Sequence, residues 1–170
     1  PAALLQGGTG GNNKARYQKA LEALDTEIGR LLESVDLATT NIILVGDNGT
    51  PAQVVQAPYG PTGAGGHSKG DLYEGGIHVP MVVRGPSVTV PGGSTTDKMV
   101  HVTDLFATIL EMADVPVPAT GEDSTSIIPI LEGSNPAERD IVSEAFAVGS
   151  AGAGRSIRLG AYPDYKLIIF

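Results

Sequence analysis

The sequence contains no cysteine and no tryptophan, and aromatic residues make up only 5% of its 170 positions. Without cysteine, the chain has no disulfide, no thiolate metal ligand and no cysteine nucleophile of its own. No apolar stretch reaches the roughly 18 residues that a membrane span requires, and no charged-then-apolar leader opens the sequence. We therefore expect neither a membrane span nor a signal segment in this chain.

Basic residues are also scarce. Lys and Arg together number 11 against 19 Asp and Glu, which gives a net charge of −8. Nucleic-acid binders and proteins that dock on anionic lipid rely on clustered Lys and Arg. The charge balance argues against both classes, and we predict no nucleic-acid partner.

Glycine and proline, in contrast, are abundant, with 23 and 12 residues. Eighteen of these 35 residues fall between positions 46 and 95, which predicts long loops of defined shape in that window. The chain opens at Pro1 and closes in an apolar run, residues 167–170, that is typical of a strand. We expect it to be part of a longer polypeptide.

Apolar patterning predicts an α/β arrangement. Apolar residues at three- and four-residue steps predict a helix over about 14–34, and a continuous β-branched run at 41–46 predicts a strand buried on both faces. Residues 79–83 predict a second strand, and Thr103 is expected to cap a helix that runs to about Ala113. The core side of that helix is predicted to carry Leu105, Phe106, Ile109, Leu110 and Met112.

The pattern changes beyond position 115. A short apolar helical turn at 127–131 precedes two or three predicted strands within 141–146 and 156–170, which indicates a small antiparallel sheet. We therefore predict two parts: residues 1–115 belong to an α/β core, and residues 116–170 form a linker and a small C-terminal α+β subdomain.

Asp47 and Asn48 directly follow the strand predicted at 41–46. In α/β sheets, ligands bind outside the carboxyl ends of the strands. A carboxylate beside an amide carbonyl supplies the hard oxygen ligands that Ca²⁺ or Mg²⁺ prefers. The alternative interpretation is that Asn48-Gly49 is an ordinary hairpin turn, although no alternating strand follows that could pair back.

Lys69 lies in a glycine-rich loop, 22 residues after Asp47. An ammonium group in such a loop, near a divalent cation, is suited to hold an oxyanion such as sulfate or phosphate. The alternative is a solvated surface lysine. For His67 as well two interpretations stay open, a side chain that titrates near neutral pH at the site or one that points to solvent.

Several segments occur in one order along the chain: Asp47-Asn48-Gly49, then residues 69–80 with Glu74-Gly75-Gly76 at their centre, then residues 103–110. Residues 17–32 precede this set, and residues 126–133 and 158–168 follow it. Together the segments resemble the carboxyl-terminal half of the sulfatase family, in the alkaline-phosphatase-like superfamily. The resemblance implies part of a mainly parallel sheet flanked by helices, followed by a small C-terminal antiparallel sheet.

The resemblance also implies roles for single residues. In sulfatases the residues matching Asp47 and Asn48 coordinate a divalent cation, usually calcium, and the lysine matching Lys69 contacts the sulfate and stabilises charge on the leaving ester oxygen. We add His67 as a candidate substrate contact. The family commonly has arginine at the position of His78, which puts the local charge pairing of that turn in question.

The family nucleophile is a formylglycine made from Cys or Ser in an amino-terminal motif that has no match in this sequence. The resemblance therefore implies that the rest of the same polypeptide completes the site, and that the 170 residues alone are inactive. It implies hydrolysis of a small-molecule or carbohydrate sulfate ester in a periplasmic or extracellular location.

Two alternatives stay open. One is a phosphodiester or phosphonate monoester hydrolase of the same superfamily, and the other is a non-catalytic acidic domain that binds calcium or a protein partner.

Overall fold

The computed structural model describes residues 12–56, 67–121, 123–146 and 153–170; part of the predicted glycine-rich loop, residues 57–66, lies outside them. The chain divides into two units, one formed by residues 1–40 and 45–81 and the other by residues 41–44 and 82–170. The elements in chain order are α1 Asn13–Leu32, β1 Ile42–Val45, α2 Glu74–Ile77, β2 Met81–Arg84, α3 Asp104–Met112, α4 Ile128–Leu131, β3 Ile141–Ala145, β4 Gly154–Arg158 and β5 Lys166–Ile169.

Helix α1 confirms the helix predicted over 14–34. Asn12 caps it, since its side-chain oxygen accepts a hydrogen bond from the Ala15 amide at 2.9 Å. The apolar stripe is present, but its larger members Leu21 and Leu31 are 49% and 60% exposed, and Ala23 is the helix residue that is buried. Among the described residues, no helix is both long enough and apolar enough to cross a membrane.

Strands β1 and β2 are hydrogen-bonded neighbours in a two-stranded sheet. The prediction that the first strand is buried on both faces is wrong, because Leu44 is 47% exposed and Val82 of the neighbouring strand is 59% exposed. Two strands are too few to build a layered sheet, and within the described residues both faces stay partly open. The mainly parallel sheet stays a prediction.

Helix α3 lies where it was predicted, but the predicted face is covered only in part, since Leu105, Leu110 and Met112 are partly buried. Its buried positions are Asp104, Ala107 and Thr108. Phe106 and Ile109, which were expected on the core side, are 48% and 52% exposed. The most deeply buried positions of this helix are therefore determined by polar contacts and not by the spacing of its apolar residues.

Asp104 lies in the first turn of α3 and is 1% exposed. Its carboxylate accepts hydrogen bonds from the amides of His101, at 2.7 Å, and Thr125, at 3.0 Å, and forms an ion pair with the Arg139 guanidinium. Thr103 occupies the N-cap position, as predicted, but its side chain makes no capping hydrogen bond. Asp104, already inside the helix, binds the preceding turn instead.

Two further hydroxyls attach α3 to the segment that follows it. Thr108 Oγ1 donates to the Asp104 carbonyl at 2.6 Å and accepts from the Ile127 amide at 3.1 Å. Ser124 Oγ accepts from the Ala107 amide at 2.9 Å. These bonds, together with the ion pair, hold α3 against the segment that leads into α4. We call four residues the polar clasp: Asp104, Thr108, Ser124 and Arg139.

The C-terminal residues form the predicted antiparallel sheet, which is therefore confirmed. Its order is β3-β4-β5, with Ser143 opposite Ser156 and Ser156 opposite Ile168. Ser156, on the central strand, is buried. The apolar region predicted as strand over 156–170 is two strands separated by a turn. The division into residues 1–115 and 116–170 stays a prediction.

An ion pair lies close to the polar clasp in sequence. Lys98 Nζ lies 2.8 Å from Glu138 Oε1 and donates to the Pro136 carbonyl at 2.7 Å. The hydrogen bond from Lys98 holds the pKa of Glu138 below its ordinary value of 4.5, although desolvation partly opposes this effect.

Candidate functional site

Asp47 and Asn48 lie immediately beyond β1. The Gly46 amide donates to the Pro80 carbonyl at 2.9 Å, which fixes the end of the strand. Asp47 is exposed, and its Oδ1 accepts a hydrogen bond from the Asn48 amide at 2.9 Å. The hairpin interpretation of Asn48-Gly49 is wrong, because the neighbour of β1 is β2, which lies far along the chain.

Lys69 lies in a turn that precedes α2. Its backbone amide donates to the Thr50 carbonyl at 2.9 Å, and the Gly49 amide donates to the Gly76 carbonyl at 2.9 Å. Both bonds lie within the first unit. The structure thus joins the backbone of the segment that carries Asp47 to the backbone of the segment that carries Lys69. We call the joined segments, residues 46–50 and 68–80, the backbone interlock.

Two glycines of the backbone interlock lie too close to neighbouring backbone atoms to carry a side chain. A Cβ added at Gly49 would lie 1.9 Å from the Gly75 carbonyl oxygen, and one added at Gly76 would lie 2.1 Å from the Asp71 carbonyl oxygen. Non-bonded carbon and oxygen atoms do not approach so closely, so glycine is required at both positions. The surplus of glycine predicted shaped loops in this region, but the contact itself was not predicted; its signal was a glycine inside each of the two motifs.

The side chains of the predicted site make few internal contacts. Among the described residues, no hydrogen bond or ion pair engages Lys69 Nζ or the Asn48 carboxamide. Lys69 is exposed and Asn48 is partly buried. These polar atoms are therefore accessible to a ligand without breaking an internal bond.

His67 packs against an aromatic ring. The centroids of the His67 and Tyr73 rings lie 4.1 Å apart, with the planes tilted by 38°. Both side chains are partly buried. The contact restrains the imidazole two residues before Lys69, and no sequence pattern indicated it.

His78, the position that departs from the family pattern, forms a pair across α2. Its Nδ1 lies 3.3 Å from Glu74 Oε2, one helical turn away. The two side chains are 61% and 37% exposed, so the pair contributes little to stability. A protonated His78 can therefore form the charge pair with Glu74 that the change from the family's arginine put in question.

The donor chemistry of Asp47 and Asn48 suits a hard cation such as calcium. A carboxylate and an amide carbonyl are both oxygen ligands, while calcium takes about 6–8 oxygens in total. Within the described ranges, no three His, Asp or Glu side chains group closely enough to hold a metal ion. The two residues thus fit as a part of a calcium site.

A concavity in the other unit has few polar side chains that a ligand could use. It has a volume of about 390 Å³ and is lined mainly by apolar side chains of β1 and α3. Its polar lining residue, Asn41, exchanges two hydrogen bonds with Ser87, at 2.8 and 3.0 Å. That carboxamide is therefore already engaged and is not open to a ligand.

Two protein-family models match the chain. The family model described as "Sulfatase" matches residues 6–115, and the model described as "N-sulphoglucosamine sulphohydrolase, C-terminal" matches residues 64–170. The chain belongs to the sulfatase family. Two relatives at 30% identity are the ulvan-active sulfatase of Formosa agariphila, over 72% of this chain, and human steryl-sulfatase, over 70%. Human arylsulfatase A is 27% identical over 75% of the chain.

The chain spans only 22% to 25% of the length of these three relatives. A solved structure from Bacteroides thetaiotaomicron, assigned to a sulfatase, superposes on 71% of this chain and 25% of its own, with a TM-score of 0.54 at 21% identity. This likeness supports the fold: the described residues have the architecture of one part of a larger sulfatase.

Proposed function

We propose that this chain forms part of a hydrolase of sulfate esters, in which Asp47 and Asn48 bind calcium and Lys69 contacts the sulfate. The observation that carries the proposal is the hydrogen bond from the Lys69 amide to the Thr50 carbonyl. It joins the lysine to the loop that leaves β1 through Asp47, while the ammonium group keeps no internal partner among the described residues.

Each residue has a distinct task in this proposal. Lys69 places a positive charge beside the sulfate and stabilises the charge that develops as the ester oxygen leaves. Asp47 and Asn48 contribute oxygen ligands to the cation. The cation, when bound, supplies fixed positive charge that orients the sulfate oxygens. His67, restrained by Tyr73, is assigned a contact to the substrate.

The nucleophile in this proposal is a formylglycine upstream of this chain, because the family motif that supplies its Cys or Ser has no match in the sequence. The rest of the same polypeptide then completes the site. The names of the relatives refer to ulvan, steryl and aryl compounds. Because those alcohols differ, the proposal commits to a small-molecule or carbohydrate sulfate ester without choosing the alcohol. By family resemblance we also propose a periplasmic or extracellular location.

The test uses the whole polypeptide that contains this chain, assayed with a chromogenic aryl sulfate, together with the isolated 170 residues. We expect calcium-dependent turnover by the whole polypeptide and none by the 170 residues. Asp47→Ala should weaken calcium binding, measured by titration calorimetry, by at least the roughly 10–100-fold that outer-shell changes cause. Asp25→Ala, an exposed acid on α1, serves as the matched control and should bind calcium normally.

The outcomes separate the alternatives. Turnover by the 170 residues alone would contradict the upstream nucleophile. Faster cleavage of the matching phosphodiester or phosphonate monoester than of the sulfate would move the assignment to those activities. Calcium binding by the whole polypeptide without turnover of any ester would favour the non-catalytic binding domain.

A further inference from the structure

The backbone interlock joins its two segments without using any of the proposed ligand-binding side chains. Its contacts are the amide-to-carbonyl bonds of Gly46 to Pro80, Gly49 to Gly76 and Lys69 to Thr50, each at 2.9 Å. The carboxamide of Asn48 and the ammonium of Lys69 take no part in them. The geometry of the contact is therefore set by the main chain and by the absence of side chains.

The closest approach occurs where glycine meets glycine. Beside the 1.9 Å overlap with the Gly75 oxygen, a Cβ at Gly49 would lie 2.7 Å from the Gly76 Cα. All of the overlapping atoms are backbone, so rotation of a flexible side chain cannot relieve the overlap. To restore an ordinary contact of 3.4 Å or more, the segments would have to separate by more than 1 Å.

We infer that Gly49 and Gly76 are positioning residues of the proposed site. Without a side chain, Gly49 lets the loop that carries the calcium ligands lie directly on Gly75 and Gly76, and Gly76 lets α2 lie against the Ser68 and Asp71 carbonyls on either side of Lys69. Together the two contacts couple calcium binding to the placement of the sulfate-binding lysine. The inference rests on the proposed function and deepens it. It assigns a role in the reaction to residues that contact neither cation nor sulfate.

Through the backbone interlock, calcium binding on one segment should have a measurable effect on the other segment. Calcium binding at Asp47 and Asn48 orders the loop that ends at Thr50. The Thr50 carbonyl accepts the Lys69 amide, so ordering the loop also stabilises the turn that contains Lys69. A ligand that stabilises one side of a hydrogen-bonded contact should slow local opening on the other side.

The first experiment measures amide hydrogen exchange in the unmodified whole polypeptide, with calcium alone as the probe. We expect calcium to slow exchange both in the peptide that contains residues 47–50 and in the peptide that contains residues 68–76. Protection confined to residues 47–50 would overturn the coupling while leaving the calcium site intact. Protection of neither peptide would reject both the calcium assignment and the inference.

The second experiment compares glycine-to-alanine changes at two kinds of position. Gly49→Ala should lower kcat/KM for the aryl sulfate by about 100-fold per folded molecule, because a displacement of about 1 Å misplaces the lysine. It should also abolish the calcium protection of residues 68–76. Gly92→Ala is the matched control, since a Cβ there meets no atom within 4 Å and its backbone is not in the left-handed region.

A Gly49→Ala protein that is folded and matches Gly92→Ala in kcat/KM would overturn the inference while the proposed function stands. A purely structural role predicts a lower melting temperature with an unchanged kcat/KM per folded molecule. If Gly49→Ala does not fold, hydrogen exchange in the unmodified protein decides the question.

Discussion

The backbone interlock and the polar clasp hold chain segments together by opposite means. In the polar clasp, side chains make the connections: Asp104, Thr108 and Ser124 accept or donate bonds that tie α3 to the segment after it. In the backbone interlock, main-chain amides and carbonyls make the connections. The ammonium group of Lys69 and the carboxamide of Asn48 are left without internal partners among the described residues.

The difference distinguishes a structural polar residue from a candidate functional one. Asp104 is 1% exposed, and its carboxylate already accepts two amide hydrogen bonds and pairs with Arg139, so a ligand cannot reach it without breaking internal contacts. Asp47 is exposed and accepts a single bond, from its own neighbour. Both are acids at the edge of a secondary-structure element, yet of the two only Asp47 presents carboxylate oxygens that a cation can reach.

The largest effect should come from removing the centre of the polar clasp. Asp104→Ala deletes one partner of a buried ion pair and leaves the amides of His101 and Thr125 without their acceptor. We expect the free energy of unfolding, measured by denaturant titration of the whole polypeptide, to fall by about 3–5 kcal/mol.

The comparison for Asp104→Ala is Asp47→Ala, with the free energy of unfolding measured in the absence of calcium. Because Asp47 is exposed, Asp47→Ala should change the free energy of unfolding by no more than about 0.5 kcal/mol under these conditions. Equal losses for Asp104→Ala and Asp47→Ala would remove the contrast between the polar clasp and the backbone interlock.

The next effect should appear in activity rather than stability. Lys69→Ala removes the ammonium group proposed to contact the sulfate, and should lower kcat of the whole polypeptide by about 10²–10³-fold with little change in melting temperature. Lys98→Ala is the comparison, since Lys98 is committed to Glu138 and to the Pro136 carbonyl. It should keep full activity; a loss there equal to that of Lys69→Ala would refute the distinction.

The smallest effect concerns pH. The pKa of Glu138 is lowered by the hydrogen bond from Lys98, so the ionised form is favoured in the folded state. The stability that this pair contributes is complete above pH 4.5, the ordinary value, and is lost as the pH falls through the lowered pKa. Glu138→Gln should therefore be less stable than the unmodified protein near neutral pH, and the difference should vanish in acid. Glu132→Gln, an exposed residue, should show no such pH dependence.

Sequence patterns by themselves determined the kinds and positions of most elements. The spacing of apolar residues predicted α1 and α3, and apolar runs predicted β1 and the C-terminal strands. The order of the motifs along the chain indicated the sulfatase family. These features depend on local preferences and on short spacings along the chain, which a sequence displays directly. The candidate residues Asp47, Asn48 and Lys69 were likewise named from the sequence, and their roles stay proposals.

Tertiary structure alone decided which faces are covered and which side chains are committed. The buried face of α3 is set by Asp104 and Thr108, whose partners lie about 20 residues away, and no period in the helix records them. The contact of Gly49 with Gly75 and Gly76 is equally invisible in either motif read separately. Long-range backbone contacts depend on how distant segments meet. For this reason the sequence could name the residues of the site, whereas only the folded chain showed what holds their segments together.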